Sequence, residues 1–170
     1  MMARERFRIE GLAGVLDTLK RLPPEIVSKA GGPVKLALKR GAELLVAEAK
    51  INVRKIIDEP NKDGVGSDST GLLLLSIRAK RSKPSRGQRG EAFIVGIKPA
   101  QRYPSNRGAN LTAVQIGRQL EYGTEKRRAM PWLRPAFDAK KQAATDAFVA
   151  EITKRADAII RKLDRQASRK

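Results

Sequence analysis

The chain of 170 residues contains no cysteine and no histidine. The first absence excludes disulfide staples, thiolate metal sites and thiol nucleophiles. The second removes the usual general base, Ser-His-Asp triads and nearly all zinc chemistry. Aromatic residues make up only 4% of the chain, so Ala, Leu, Ile and Val must fill its core. Long apolar runs are missing too: the longest aliphatic run is Leu72–Leu75, far short of the roughly 20 residues that cross a bilayer. The opening MMARERFRIEG is charged throughout and lacks the apolar stretch of a secretory signal. The expectation is a protein made in the cytoplasm with no membrane partner.

Acidic charge is scarce. Thirty-six Lys and Arg stand against 18 Asp and Glu, a formal net charge of +18, which is far more than solubility requires and implies a polyanionic neighbour. The surplus concentrates between Leu72 and Arg134, where fourteen cations face only Glu91, Glu121 and Glu125. Phosphates contacted without sequence readout would suit it. So would the acidic faces of protein partners. The stretch lacks the regularly interleaved aromatics expected of a single-strand stacking platform.

Candidate catalytic sites fare poorly. The Gly-rich DGVGSDSTG at Asp63–Gly71 invites a phosphate-loop reading, but Leu72 stands where the essential Lys belongs. Its Asp63 and Asp68 lack the alternating ligands and terminal Glu of a calcium loop. Asp58 and Glu59 are adjacent and point apart, so they make no carboxylate pair. Glu121 beside Tyr122 is best read as a structural ion-pair partner of Lys126, Arg127 or Arg128 around the turn. Neither enzyme activity, nor a catalytic residue, nor a cofactor or metal is expected.

The chain reads as a single domain over 1–170. Phe7-Arg8-Ile9 suggests a short strand and 12–21 a helix that stops before Pro23-Pro24. From Val34 to Ile57, the residues Val34, Leu38, Ala42, Leu45, Ala49, Val53 and Ile56 recur at three and four, the stripe of a long amphipathic helix that Gly31-Gly32-Pro33 starts or kinks. DEPNKDGVGSDST at 58–70 is a polar linker, with Ser69 or Thr70 as a cap before Leu72. Alternating residues predict a β-hairpin with strands near 73–81 and 91–98, joined by the basic loop 82–90. A second basic loop spans 99–111. Thr112 is a plausible N-cap for a helix to Glu121 with Val114, Ile116, Gly117 and Leu120 inward.

LEYGTEKRRAMPWLRPAFD, at Leu120–Asp138, carries the most information. Gly123 suits a chain-reversing positive φ. Pro131 keeps Met130 out of the α region, and Pro135 fits a first helical turn whose N–H groups are unpaired anyway. Trp132, Leu133 and Phe137 cluster there as a packing anchor, core more than interface, with Tyr122 beside the turn. The last helix is expected from about Pro135 to Gln166, on Phe137, Ala144, Phe148, Ile152, Ala156, Ile159 and Leu163. Such a helix approaches about 50 Å, enough for part of it to pack on a neighbouring subunit. The fold class expected is α+β: long amphipathic helices on a small antiparallel sheet, with a long C-terminal helix.

Four segments in register, FRIEGLAGVLDTLKRLP at 7–23, a long helix ending at Ala49-Lys50, STGLLLLSI at 69–77, and EYGT followed by PWLRPAF, cover most of the chain. Together they resemble the head-to-tail joining or tail-completion (neck) proteins of lambdoid-type long-tailed siphophages. The basic stretches 82–90 and 101–108 are longer than is usual in that pattern. The resemblance implies a structural virion protein, present as a homo-oligomeric ring, commonly a hexamer, between the head connector and the tail tube, with genomic DNA passing through. On that reading Arg81, Lys83, Arg86, Arg89, Arg102, Arg107, Lys126, Arg127 and Arg128 would contact the DNA channel or a partner. The alternative is a sequence-independent nucleic-acid-binding protein acting outside a virion.

Overall fold

A computed structural model of the chain describes residues 32–59, 70–82, 91–99, 102, 111–125 and 127–168. The strand expected at 7–9, the helix at 12–21 and most of the linker and both basic loops lie outside these. The described part is α+β: helix α1 (Gly32–Asp58), a single turn α2 (Leu72–Ser76), strands β1 (Ile77–Ser82) and β2 (Ala92–Ile97), helix α3 (Ala113–Tyr122) and helix α4 (Leu133–Ala167).

Helices α1 and α4 lie antiparallel along one another. Asn52 near the end of α1 donates to the Trp132 carbonyl at 3.1 Å, Glu48 pairs with Lys140 at 3.5 Å, and Ala37 near the start of α1 packs with Phe148 and Ile152. At about 1.5 Å per residue, the 27 residues of α1 span roughly 40 Å and the 35 of α4 roughly 52 Å. Small residues set the closeness of the crossing. A Cβ on Gly41 would stand 2.7 Å from the Ala144 carbonyl oxygen. The buried positions of α1 are Ala37, Gly41, Ala42, Ala49 and Val53, so the expected stripe is present, shifted toward its smaller members where α4 approaches.

The β-hairpin is present, with a shorter first strand than expected. Residues 73–76 belong to α2, because four consecutive leucines carry no period and the local hydrogen bonds favour a turn. The Thr70 hydroxyl accepts from the Leu72 N–H at 3.4 Å, and the Ser76 hydroxyl donates to the Leu72 carbonyl at 2.6 Å. From Ile77 the chain is extended and pairs antiparallel, Ile77 with Ile97 through Ser82 with Ala92. Ile77 is buried with Ala49 and Val53 of α1, and Ile97 packs against the same cluster. Leu73, Leu120, Trp132 and Ala136 complete this larger core, while Ala37, Phe148 and Ile152 form a smaller one toward the far end of the helix pair.

Thr112 is the N-cap of α3, as its sequence suggests. Its hydroxyl accepts from the Gln115 N–H at 3.2 Å, and the Gln115 side chain accepts from the Thr112 N–H at 2.8 Å, a reciprocal capping box. Gly123 ends the helix with φ 76°, and a Cβ there would crowd Ala129 and the Arg127 carbonyl at 2.9 Å.

Candidate functional site

Each α-helix begins with four N–H groups that have no partner inside the helix. For α4 the four positions are Trp132, Leu133, Arg134 and Pro135. No acidic residue lies in its first turn and Trp132 offers no side-chain cap. Glu121, the penultimate residue of α3, supplies what is missing. One carboxylate oxygen accepts from the N–H groups of Trp132 at 2.8 Å and Leu133 at 2.9 Å. The other accepts from the Arg134 N–H at 3.1 Å and its Nε at 3.0 Å. The fourth position is Pro135, which has no N–H to satisfy. One carboxylate on one helix thus completes the start of another, and its negative charge sits at the positive end of the α4 dipole.

Further bonds close the junction. The Trp132 indole donates to the Gly117 carbonyl at 2.9 Å, and the Met130 N–H donates to the Leu120 carbonyl at 2.8 Å. The Arg134 guanidinium also reaches the Glu121 carbonyl at 3.3 Å and lies 4.9 Å from the centre of the Tyr122 ring. Burial opposes ionisation of Glu121, but the backbone donors of Leu133, Trp132 and Arg134 together with the Arg134 side chain outweigh it and hold the carboxyl below its ordinary value. Both carboxylate oxygens are engaged, so the group acts as a fixed structural anion.

The partner of Glu121 therefore differs from the one its neighbours in sequence suggest. Arg134, thirteen residues on, takes the place expected of Lys126, Arg127 or Arg128; Arg127 and Arg128 are exposed. An uncapped helix start needs an acceptor from elsewhere, and only Glu121 and Glu125 are acidic between Ala92 and Phe137. That scarcity was the available signal. Of the anchors, Trp132 is buried, Leu133 and Phe137 are half-buried, and Tyr122 and Pro135 are exposed.

The basic residues are distributed differently. Arg81 bonds Glu91 through both its Nε, at 2.7 Å, and its Nη2. Arg81 and the nearby Lys35 both favour the charged form of Glu91, with the Arg81 hydrogen bond the larger influence, and its pKa is lowered. Arg102 is exposed, with its backbone bridged to Thr112. Lys83, Arg86, Arg89, Arg107 and Lys126 lie outside the described residues. Among the described residues no group of three or more acidic side chains could hold a metal ion, and no helix is long and apolar enough to cross a membrane.

No protein-family model matches the chain. Searches of curated proteins and of solved structures also return no match.

Proposed function

We propose that this chain is a structural component of a long-tailed phage neck, a subunit that joins head connector and tail, or completes the tail, as a closed ring of identical copies around the DNA passage. The observation that carries the reading is the use made of the EYGT and PWLRPAF segments. Their residues Glu121, Trp132 and Arg134 are committed to fixing the direction in which a 35-residue helix leaves the body. That is the investment of an architectural part. The final turns of α4, with Asp157, Arg161, Lys162, Asp164 and Arg165 exposed, extend past the level at which α1 begins and offer a surface to a neighbouring copy. A ring of this kind closes when each subunit presents the same patch to the next. Assembly replaces chemistry as its mechanism, and the protein resides in the virion.

The test is electron microscopy of particles made when the gene carries an early stop codon in its parent phage genome. Filled heads beside separate or abnormally long tails are the expected result. Normal infectious virions would overturn the reading. They would favour the second one, a sequence-independent nucleic-acid-binding protein outside the virion, which rests on the net charge of +18.

A further inference from the structure

The two faces of the hairpin are treated in opposite ways. On the face toward α1, the cation Arg81 is neutralised by Glu91. On the other face, Arg78 and Lys80 are exposed two residues apart on β1, roughly 7 Å along the strand. Lys98 follows β2 directly, two residues after Gly96, and is exposed as well, its N–H donating to the Ser76 carbonyl at 2.9 Å. No acidic residue of either strand points to this side.

Gly96 lies among these three cations, directly across from Arg78. Glycine weakens a strand and is usually placed there for a bulge, for a positive φ, or for the close approach of something else. The register runs through Gly96 without a bulge. Positive φ is confined, among the described glycines, to Gly71 and Gly123. A Cβ on Gly96 would meet nothing within 4 Å. Among the described residues, neither backbone geometry nor packing asks for glycine at this position, which leaves room for an approach from outside.

We infer that the outer face of the hairpin is a phosphate-backbone site for duplex DNA, with a phosphodiester seated over Gly96 and held by Arg78, Lys80 and Lys98. Charge complementarity selects a polyanion. Among the described residues of this face the only large apolar side chain is Ile94, 59% exposed, and none is aromatic, which disfavours stacking on unpaired bases. The inference deepens the neck reading by naming the surface that meets DNA, and it rests on that reading only for where the DNA lies.

Fluorescence anisotropy of the full-length protein with a short labelled DNA duplex, across a salt series, tests it. Three phosphate contacts contribute about 2.7 to the slope of log affinity against log salt. R78A/K80A/K98A is expected to lose most of that slope and at least about tenfold in affinity at low salt. R54A/K55A/K154A, which removes the same charge from exposed positions of α1 and α4 away from the surface assigned to a neighbouring copy, should leave the slope nearly unchanged. Gly96→Val keeps the charge and suits a strand, yet fills the notch, and should weaken duplex binding several-fold at constant slope. Gly96→Ser serves if the valine variant fails to fold by circular dichroism. Equal losses in the two triple variants with no effect at Gly96, tighter binding to a single strand than to the duplex, or no binding by the wild type would each overturn the inference. Because the assay reads free protein, its failure is separable from a normal virion phenotype in the stop-codon phage.

Discussion

The two ends of the α1–α4 pair are held by different means. At the junction end, Trp132 is buried among Ala49, Val53, Leu73 and Leu120, and its backbone and indole are both bonded. At the far end, among the described residues, Ala37, Phe148 and Ile152 meet through apolar packing, after a close crossing at Gly41 and Ala144. A chain poor in aromatics has placed its one tryptophan where the direction of the longest helix is set. The comparison teaches that orientation is fixed by directional bonds at one end, while the rest of the contact needs only small side chains and apolar area.

Substitutions can break this contrast in order of size. Trp132→Ala should cost about 4 kcal/mol, because it opens a large cavity and leaves the Gly117 carbonyl without its donor; urea unfolding followed by circular dichroism reads it. A loss below that of Phe148→Ala at the far end would remove the asymmetry.

Glu121→Gln should cost about 2 kcal/mol, since the amide brings an NH2 donor toward N–H groups that need an acceptor. Its pH dependence sharpens the point. The folded carboxyl titrates below the ordinary value of 4.5, so its contribution is fully present above that value and is lost as pH falls through the folded one. The stability gap between wild type and Glu121→Gln is therefore expected to be constant near neutrality and to narrow in acid below 4.5. A gap that stays unchanged down to strongly acidic pH would show that the carboxylate charge is irrelevant.

Gly41→Ala has the smallest expected effect. Helix propensity favours alanine by about 1 kcal/mol, but the new methyl meets a backbone carbonyl of α4 that cannot rotate away. A net loss of about 1 kcal/mol is expected from overpacking, read as a lowered midpoint in thermal unfolding. A stabilised variant would mean that the helices separate easily at that crossing.

Much of this architecture is legible in the sequence where one signal dominates. The three-and-four rhythm from Val34 to Ile56 marks α1, and Thr112 marks the start of α3, because both are local patterns acting over a turn or two of chain. Gly123 is legible for the same reason. The sequence misleads at Leu72–Leu75, where four identical apolar residues satisfy any period and the choice between turn and strand falls to the hydroxyls of Thr70 and Ser76. Residues far apart in the chain are the hardest to read. Glu121 is visible as a structural anion, yet its partner Arg134 lies beyond a turn crowded with nearer cations. Likewise, counting charge between Leu72 and Arg134 does not separate Arg81, which is paired, from Arg78 and Lys80, which face outward; only strand register does that.

The order of the elements also sets a schedule for the ribosome. Asn52 and its partner Trp132 are separated by 80 residues, so α1 is synthesised well before the helix that covers it. Glu121 and Trp132, by contrast, are 11 apart and can meet as soon as both have emerged. Loop closure favours the short connection. The turn between α3 and α4 therefore organises before α4 docks on α1, and the part of α1 that α4 covers lacks its partner helix through nearly half of translation, an interval in which the nascent chain is exposed to aggregation and to chaperone capture.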